Sequence, residues 1–255
     1  MKSGLAVGDL PEHGPVTVDV PVPMVALAIG AHPDDVEFGC GATLAKWASV
    51  GCRIHFLVLT DGSKGTWSSG EDTEALVATR RREQMDAAKI IGEGTVDFLD
   101  LPDGQLDCGL EQRRQVCEAI RRVKPDVVLG HDPWRRYRLH PDHRNAGWLV
   151  TDGIVAARDP KFFEDLALEP HRPSVLLLWE PDEPNHVEDV SGFVETKIQA
   201  LLTHRSQSRS TLGLSADPEE AELASFYEKV ALQHEAHGSL AGVAAGEAFR
   251  LIDDL

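Results

Sequence analysis

Two clusters of histidine and aspartate stand far apart in the chain: Ala31-His32-Pro33-Asp34-Asp35-Val36-Glu37, and His131-Asp132 followed by His140-Pro141-Asp142-His143. These residue types suit a catalytic zinc ion, which takes three protein ligands from His, Asp or Glu and leaves one position for water. His32 and Asp35 are three apart and can grip one ion from a single turn. His143 would supply the third ligand from a different part of the fold. Water at such a site loses a proton more easily, and a nearby carboxylate can take it. Asp34 adjoins a ligand yet points differently, which makes it the candidate base. His140 is the candidate for holding an oxyanion or giving a proton to a leaving group. Zn2+ is the expected metal; Fe2+ or Co2+ could replace it, because a His/His/Asp set does not discriminate by ligand type alone.

Each residue has a plainer reading. Asp34 or Asp35 could cap a following helix, where carboxylates are welcome. His143 alone would read as a surface residue, and His131 as a loop residue or one that supports a ligand. The scattered His13, His55, His171, His186, His204, His234 and His237 read as structural or solvated. The metal reading gains its weight from where the two clusters fall among the elements.

Residues 22–30 form an apolar, β-rich run ending in Gly30, so His32 follows directly on a strand. Residues 38–50 read as a helix stopped by Gly51. Residues 53–59 read as a strand apolar on both faces, as a doubly covered strand is. A Gly- and Ser-containing loop over 60–72 leads to a helix over 73–91, a strand over 95–99, a helix over 110–123 and a strand over 126–130. This alternation of strand and helix with short links predicts an α/β fold: a Rossmann-like, mostly parallel sheet with helices on both faces. Further on, the pattern predicts helices over 145–157, 190–204 and 218–236 and strands over 174–179 and 248–252, with a small C-terminal cap from about residue 170. Residues 22–255 read as one domain, preceded by an N-terminal extension, 1–21, part of it mobile. Ligands in open parallel sheets bind beyond the carboxyl ends of the strands. Both His/Asp clusters fall at that edge.

The 255 residues carry a formal net charge of −17, which argues against a nucleic-acid or anionic-membrane partner, since either needs a basic face. The longest early apolar run is too short to span a bilayer. Four cysteines (Cys40, Cys52, Cys108 and Cys117) contain no C-x-x-C pair and suggest neither a zinc knuckle nor a disulfide framework. With no basic, apolar leader in the first residues, the expected compartment is the cytoplasm. No heptad pattern is present, so an oligomeric state is not legible.

These residues carry a resemblance. Ala31-His32-Pro33-Asp34-Asp35-x-Glu37, followed by Gly39-Cys40-Gly41-Ala42-Thr43-Leu44-Ala45, resembles the opening motif of the PIG-L/LmbE-like N-acetylglucosaminyl de-N-acetylases. His140-Pro141-Asp142-His143 resembles that family's second metal motif. Leu59-Thr60-Asp61-Gly62-x-x-Gly65, Arg80-x-x-Glu83 and Leu202-x-His204-x-Ser206-Gln207 are similar to other family segments. The resemblance extends over about residues 24–252. It implies His32, Asp35 and His143 as zinc ligands, Asp34 as general base and His140 as a stabiliser of the tetrahedral intermediate. It further implies that Arg80 contacts a sugar, with Arg81 and Arg82 as neighbours able to compete, and that Asp103 hydrogen-bonds a hydroxyl unless it is a simple turn residue. Gly41-Ala42, where the family often has Gly-Gly, Val36-Glu37 and Asp61 depart from the family pattern and bear on substrate choice.

The implied activity is hydrolysis of an N-acetyl group from a GlcNAc-type sugar or glycoconjugate, a small-molecule substrate. An amidase or natural-product tailoring deacetylase acting on another N-acyl group is the alternative; Trp67, Trp134 and Tyr137 in the loops could stack on a sugar or line an acyl pocket. A non-catalytic nucleotide-binding protein is disfavoured, since no Gly-rich phosphate fingerprint follows the first strand.

Overall fold

The computed structural model describes residues 15–255; residues 1–14 of the extension lie outside the described residues. The sheet is built around β2 (Val25–Gly30), a six-residue strand buried along its whole length. Side chains alternate across a strand, so Ala26 and Ala28 join one apolar layer and Leu27 and Ile29 the other. The same division holds in β3 (Arg53–Thr60), where Ile54 and Phe56 face one way and Leu57 and Leu59 the other.

Helices α1 (Asp35–Ser49) and α2 (Thr73–Gly92) cover the first layer through Val36, Leu44, Trp47, Ala87 and Ile91. Helices α3 (Leu110–Val123) and α4 (Pro141–Arg158) cover the second through Val116, Ile120, Leu149, Val150 and Ile154. The helix ends follow local chemistry. Asp72 caps α2 by accepting from the N–H groups of Glu74 and Ala75. Lys124, in the left-handed region at φ 54°, ends α3 just before Pro125.

With β1 (Thr17–Val18), β4 (Thr95–Leu101), β5 (Val127–His131), β6 (Val175–Trp179), β7 (His186–Asp189) and β8 (Gly246–Ile252), the eight strands run in the order β1-β7-β8-β6-β5-β2-β3-β4. Only β8 is antiparallel to its neighbours. The chain leaves β2 toward β3 and β4 on one side, then crosses to β5 on the other. Adjacent strands β2 and β5, with Ile29 opposite Gly130, therefore form a switch point, where their connections diverge and leave a crevice at the carboxyl edge.

From about residue 170 the chain divides its work. Strands β6, β7 and β8 extend the sheet, while α5 (Val194–Leu201), the turns over 205–212 and α6 (Glu220–Ser239) form a small apolar cluster around Ile198, Leu201, Leu212, Phe226 and Val230. Three local differences from the sequence pattern matter. β7 was not expected. Helix α4 starts at Pro141 rather than 145, because proline at the first helical position has no N–H to leave unpaired. Helix α1 starts at Asp35 and breaks at Cys40, whose φ is −153°. Its freed groups find distant partners. Lys197 Nζ donates to the Phe38 carbonyl at 2.7 Å, and the Glu247 carboxylate accepts from the N–H groups of Ala42 and Thr43 at 3.2 and 2.8 Å. The first turn of α1 is thus a separately anchored unit.

Candidate metal centre and catalytic cleft

That anchored turn carries His32, Asp34 and Asp35 into the crevice, and the first turn of α4 brings His140 and His143 to meet them. His143 Nε2 lies 3.2 Å from both His32 Nδ1 and Asp35 Oδ1, and His32 Nδ1 lies 3.3 Å from Asp35 Oδ2. A tetrahedral ion with metal–ligand bonds of about 2.0–2.1 Å separates its ligand atoms by about 3.3–3.4 Å. Taking one ligand atom from each residue, His32, Asp35 and His143 lie within 4.8 Å of one another, so their donor chemistry and spacing suit a single metal ion, and all three line the cleft. A second group, His32, His140 and Asp142, shares His32 and belongs to the same centre.

The far nitrogen of His32 is held by carboxylates. Its Nε2 lies 3.1 Å from Asp103 Oδ1 and 3.3 Å from Asp142 Oδ2. Burial would depress the His32 imidazole, but its bonds to Asp103, Asp142 and Asp35 hold it well above the usual value. Burial likewise works against the ionised Asp103, yet His32 and the Lys64 N–H bring it down to about 2. Such carboxylate–imidazole pairs fix the ring and direct its other nitrogen outward. Asp103 thus pairs with the His32 ring, and Lys64 donates to its backbone carbonyl. Asp142, fully buried, also accepts from the Gly104 N–H at 2.6 Å. Asp142 belongs to the second cluster of the sequence, between two histidines of one helical turn, and its contact with His32 gives it a role that the motif alone does not assign.

Asp34 precedes α1 with φ 108°, in the left-handed region, and its side chain caps nothing. That conformation is unfavourable for a non-glycine residue and recurs at functional sites. Its N–H donates to Gln84 Oε1 at 2.9 Å, and Gln84 Nε2 in turn donates to Glu37 Oε1 at 2.6 Å. His204 Nε2 lies 3.5 Å from the other Glu37 oxygen. Burial pushes the Asp34 carboxyl up to about 6; Arg80 opposes the shift and Asp35 adds to it. Gln84 did not stand out in the sequence, and Glu37 stood in the first motif without this role, because a buried polar network has no period to read.

Arg80 is buried, donating to the carbonyls of Gly62 at 2.8 Å and Pro33 at 2.6 Å, with Nη2 3.4 Å from Asp34 Oδ2. Its neighbours face elsewhere: Arg81 pairs with Asp100 and Arg82 reaches Thr79. The Gly62-x-x-Gly65 spacing follows from this guanidinium, since a Cβ would stand 2.9 Å from Arg80 Nη1 at Gly62 and 2.1 Å from it at Gly65. His140 stacks on His143 at a centroid distance of 4.5 Å and meets His32 edge-on at 4.8 Å. Burial, with His32 and His143 adding to it, holds its imidazole below the usual value. His131, at the end of β5, stacks on the other face of His143 at 4.5 Å. The cleft encloses about 400 Å³, lined by these groups together with Phe38, Lys64, Trp179, Glu180, Gln207 and Thr211. Trp67, Trp134 and Tyr137 are exposed on the loops outside this lining.

The fold and this centre define a class: doubly covered α/β sheets with a His/Asp/His candidate metal site at the switch point. Residues 27–154 match the PIG-L family, described as GlcNAc-PI de-N-acetylase, and the chain belongs to that family. It is 34% identical over 215 residues to a diacetylchitobiose deacetylase of Thermococcus kodakarensis, with 83% of this chain and 80% of that one covered. It is 30% identical over 222 residues to a 4-oxalmesaconate hydratase of Pseudomonas putida, covering 82% of this chain and 78% of that one. The structure of the N,N'-diacetylchitobiose deacetylase from Pyrococcus horikoshii, complexed with an inhibitor, superposes with a TM-score of 0.81 at 28% identity, covering 91% of this chain and 84% of that one. No helix among the described residues is long and apolar enough to cross a membrane.

Proposed function

We propose that this protein is a zinc-dependent N-deacetylase that hydrolyses the N-acetyl group of a GlcNAc-type sugar or glycoconjugate. The observation that carries the reading is the meeting of His32, Asp35 and His143 within reach of one ion, beside a buried Asp34 whose carboxyl is pushed up to about 6. Zn2+ is assigned from the donor set, with Fe2+ and Co2+ able to substitute. A cation bound there supplies Lewis acidity, polarising an amide carbonyl and easing loss of a proton from water.

The chain's own residues do the rest. Asp34, with a carboxyl near 6, is basic enough to take a proton from attacking water at neutral pH and acidic enough to return it. His140, at the open edge of the cleft, stabilises the negative charge that develops on the carbonyl oxygen. Either Asp34 or His140 protonates the departing amine, giving acetate and the free amino sugar. Arg80 fixes the Pro33–Asp34 peptide and borders the sugar. Asp103 keeps His32 in its ligating orientation and, lining the cleft, stays within reach of a substrate hydroxyl. The free cysteines fit a reducing compartment, and the reading places the protein in the cytoplasm.

The hydratase relative favours a second reading, addition of water without cleavage, since a metal site and a carboxylate base serve that reaction too. The deacetylase reading draws on the higher identity and the wide structural match to chitobiose deacetylases. Acetate release from a panel of N-acetylglucosaminides, measured with zinc-loaded protein beside Asp34→Asn, tests it. Release by the wild type with at least a roughly hundredfold loss in the variant is expected. Metal-loaded protein that releases no acetate from any panel member refutes the GlcNAc assignment.

A further inference from the structure

His131 lies at the carboxyl end of β5 and is 2% exposed. Its Nδ1 has two neighbours: Arg138 Nη1 at 2.8 Å and Trp179 Nε1 at 3.0 Å. Both are donors only. Guanidinium does not give up its proton in proteins, and an indole N–H has no lone pair to offer. Nδ1 must therefore be the bare, accepting nitrogen. Neither neighbour is free to turn away: Arg138 is 8% exposed and bound to Glu180 at 2.9 Å, while Trp179 lies packed over Gly39, where a Cβ would stand 2.4 Å from its ring.

A neutral imidazole with a bare Nδ1 carries its proton on Nε2. That nitrogen is buried with no hydrogen-bond partner of good geometry, and Asp35 Oδ2 lies 3.2 Å away. The same oxygen accepts from the His32 N–H at 2.7 Å. Asp35 Oδ1, by contrast, faces His143.

We propose that His131 is a positioning residue: held as its Nε2–H tautomer by Arg138 and Trp179, it donates to Asp35 Oδ2 and so presents Oδ1 to the metal. This rests on the reading of His32, Asp35 and His143 as the metal site. It also assigns His131 away from the ion, because its free nitrogen meets a carboxylate oxygen already engaged by backbone. The Trp179 indole that lines the cleft is thereby connected to a ligand through two hydrogen bonds.

Two measurements on the full chain test this. Long-range 15N–1H spectra of the imidazoles, assigned with a His131→Gln control, report the tautomer directly. An unprotonated Nδ1 and a protonated Nε2 are expected; an Nδ1–H tautomer overturns the proposal, whatever the variants do. Zn2+ dissociation constants by chelator competition give the second readout. His131→Leu is expected to weaken zinc by about 10–100-fold, whereas His131→Gln, which keeps an N–H near the Nε2 position, stays within roughly threefold of wild type. A Leu variant that holds zinc as tightly as wild type overturns the inference alone. A Gln variant as weak as Leu would assign the loss to packing and overturn it as well. A wild type that binds no zinc removes the metal site itself, and the inference with it.

Discussion

Replacing Lys197 with Met should destabilise the protein far from the metal yet within the architecture that carries Asp35. Lys197 is 4% exposed and Glu247 2%, and Nζ lies 2.7 Å from Glu247 Oε1 and 2.7 Å from the Phe38 carbonyl. Met conserves the stem but leaves the Glu247 carboxylate without its cation. Breaking a buried pair from one side costs about 3–5 kcal/mol, because the remaining charge stays desolvated. The two N–H groups of Ala42 and Thr43 still bind that carboxylate, so the low end, about 3 kcal/mol, is expected. The double variant Lys197→Met/Glu247→Gln removes the orphaned charge and should be less destabilised than Lys197→Met alone. The pH dependence has a definite sign. Burial works to raise the Glu247 carboxyl, but Lys197 and His234 overcome it and hold it far below the usual range. A depressed folded value means stability present above the unfolded value of about 4.3 and lost as pH falls through the folded one. The Lys197→Met penalty should therefore be largest at neutral pH and shrink in acid. Urea unfolding followed by tryptophan fluorescence, with linear extrapolation at pH 7.5 and 4, measures all of this. A loss below about 1 kcal/mol at pH 7.5, in the range of exposed pairs, or a double variant weaker than the single one, would refute the reasoning.

Three further outcomes follow from the cleft. Gly65→Ala drives a methyl into Arg80 Nη1 and Gln207 Oε1, so it should cost about 1–3 kcal/mol by overpacking and lower acetate release by moving the guanidinium behind Asp34; urea unfolding with wild-type stability would show that Arg80 yields freely. His143→Ala removes one of three ligands and should lose its metal on dialysis against a chelator that leaves the wild type loaded, with metal content read by elemental analysis. Zinc at about a hundredfold its dissociation constant adds roughly 2.7 kcal/mol to the folded state, so the wild-type Tm should rise by roughly 5–10 °C over the metal-free protein, and the His143→Ala Tm should not move.

The parts of the fold legible in the sequence are those that periodicity governs. β2, β3 and β5 are apolar on both faces because helices cover both, and a run such as Val25–Gly30 has little else to become in a chain this size. β7 escaped because its pattern is polar: His186, Glu188 and Asp189 occupy three of its four positions. It is buried all the same, since Glu188 accepts from Val20 N–H, His186 Nε2 and Lys46 Nζ, and Thr17 Oγ1 meets His186 Nδ1. Val20, Lys46 and Thr17 lie well over a hundred residues away in the chain, so no local window contains them. The start of α4 is different. Pro141 after His140 is a local signal for a first helical turn, and reading His140–His143 as a motif hid it.

The same distinction separates the proposed metal ligands from what surrounds them. That His32, Asp35 and His143 meet was legible because metal binding demands particular residue types at short spacing, and two such clusters at one sheet edge are hard to produce by packing alone. Asp103 was legible as a residue but not in its place, since only the tertiary structure brings its carboxylate to His32 Nε2. Gln84 answers to no spacing rule, and the motif positions of Glu37 and Asp142 do not name their partners. They satisfy groups that the site leaves exposed: the Asp34 N–H, the Gln84 amide and the His32 ring. An Asp at φ 108° costs on the order of 1–3 kcal/mol and persists only if its surroundings leave it no other conformation. Gln84 and Arg80 hold the two sides of that peptide, one at the Asp34 N–H and one at the Pro33 carbonyl. The orientation of the base is therefore set by α2, an element whose sequence reads as an ordinary amphipathic helix.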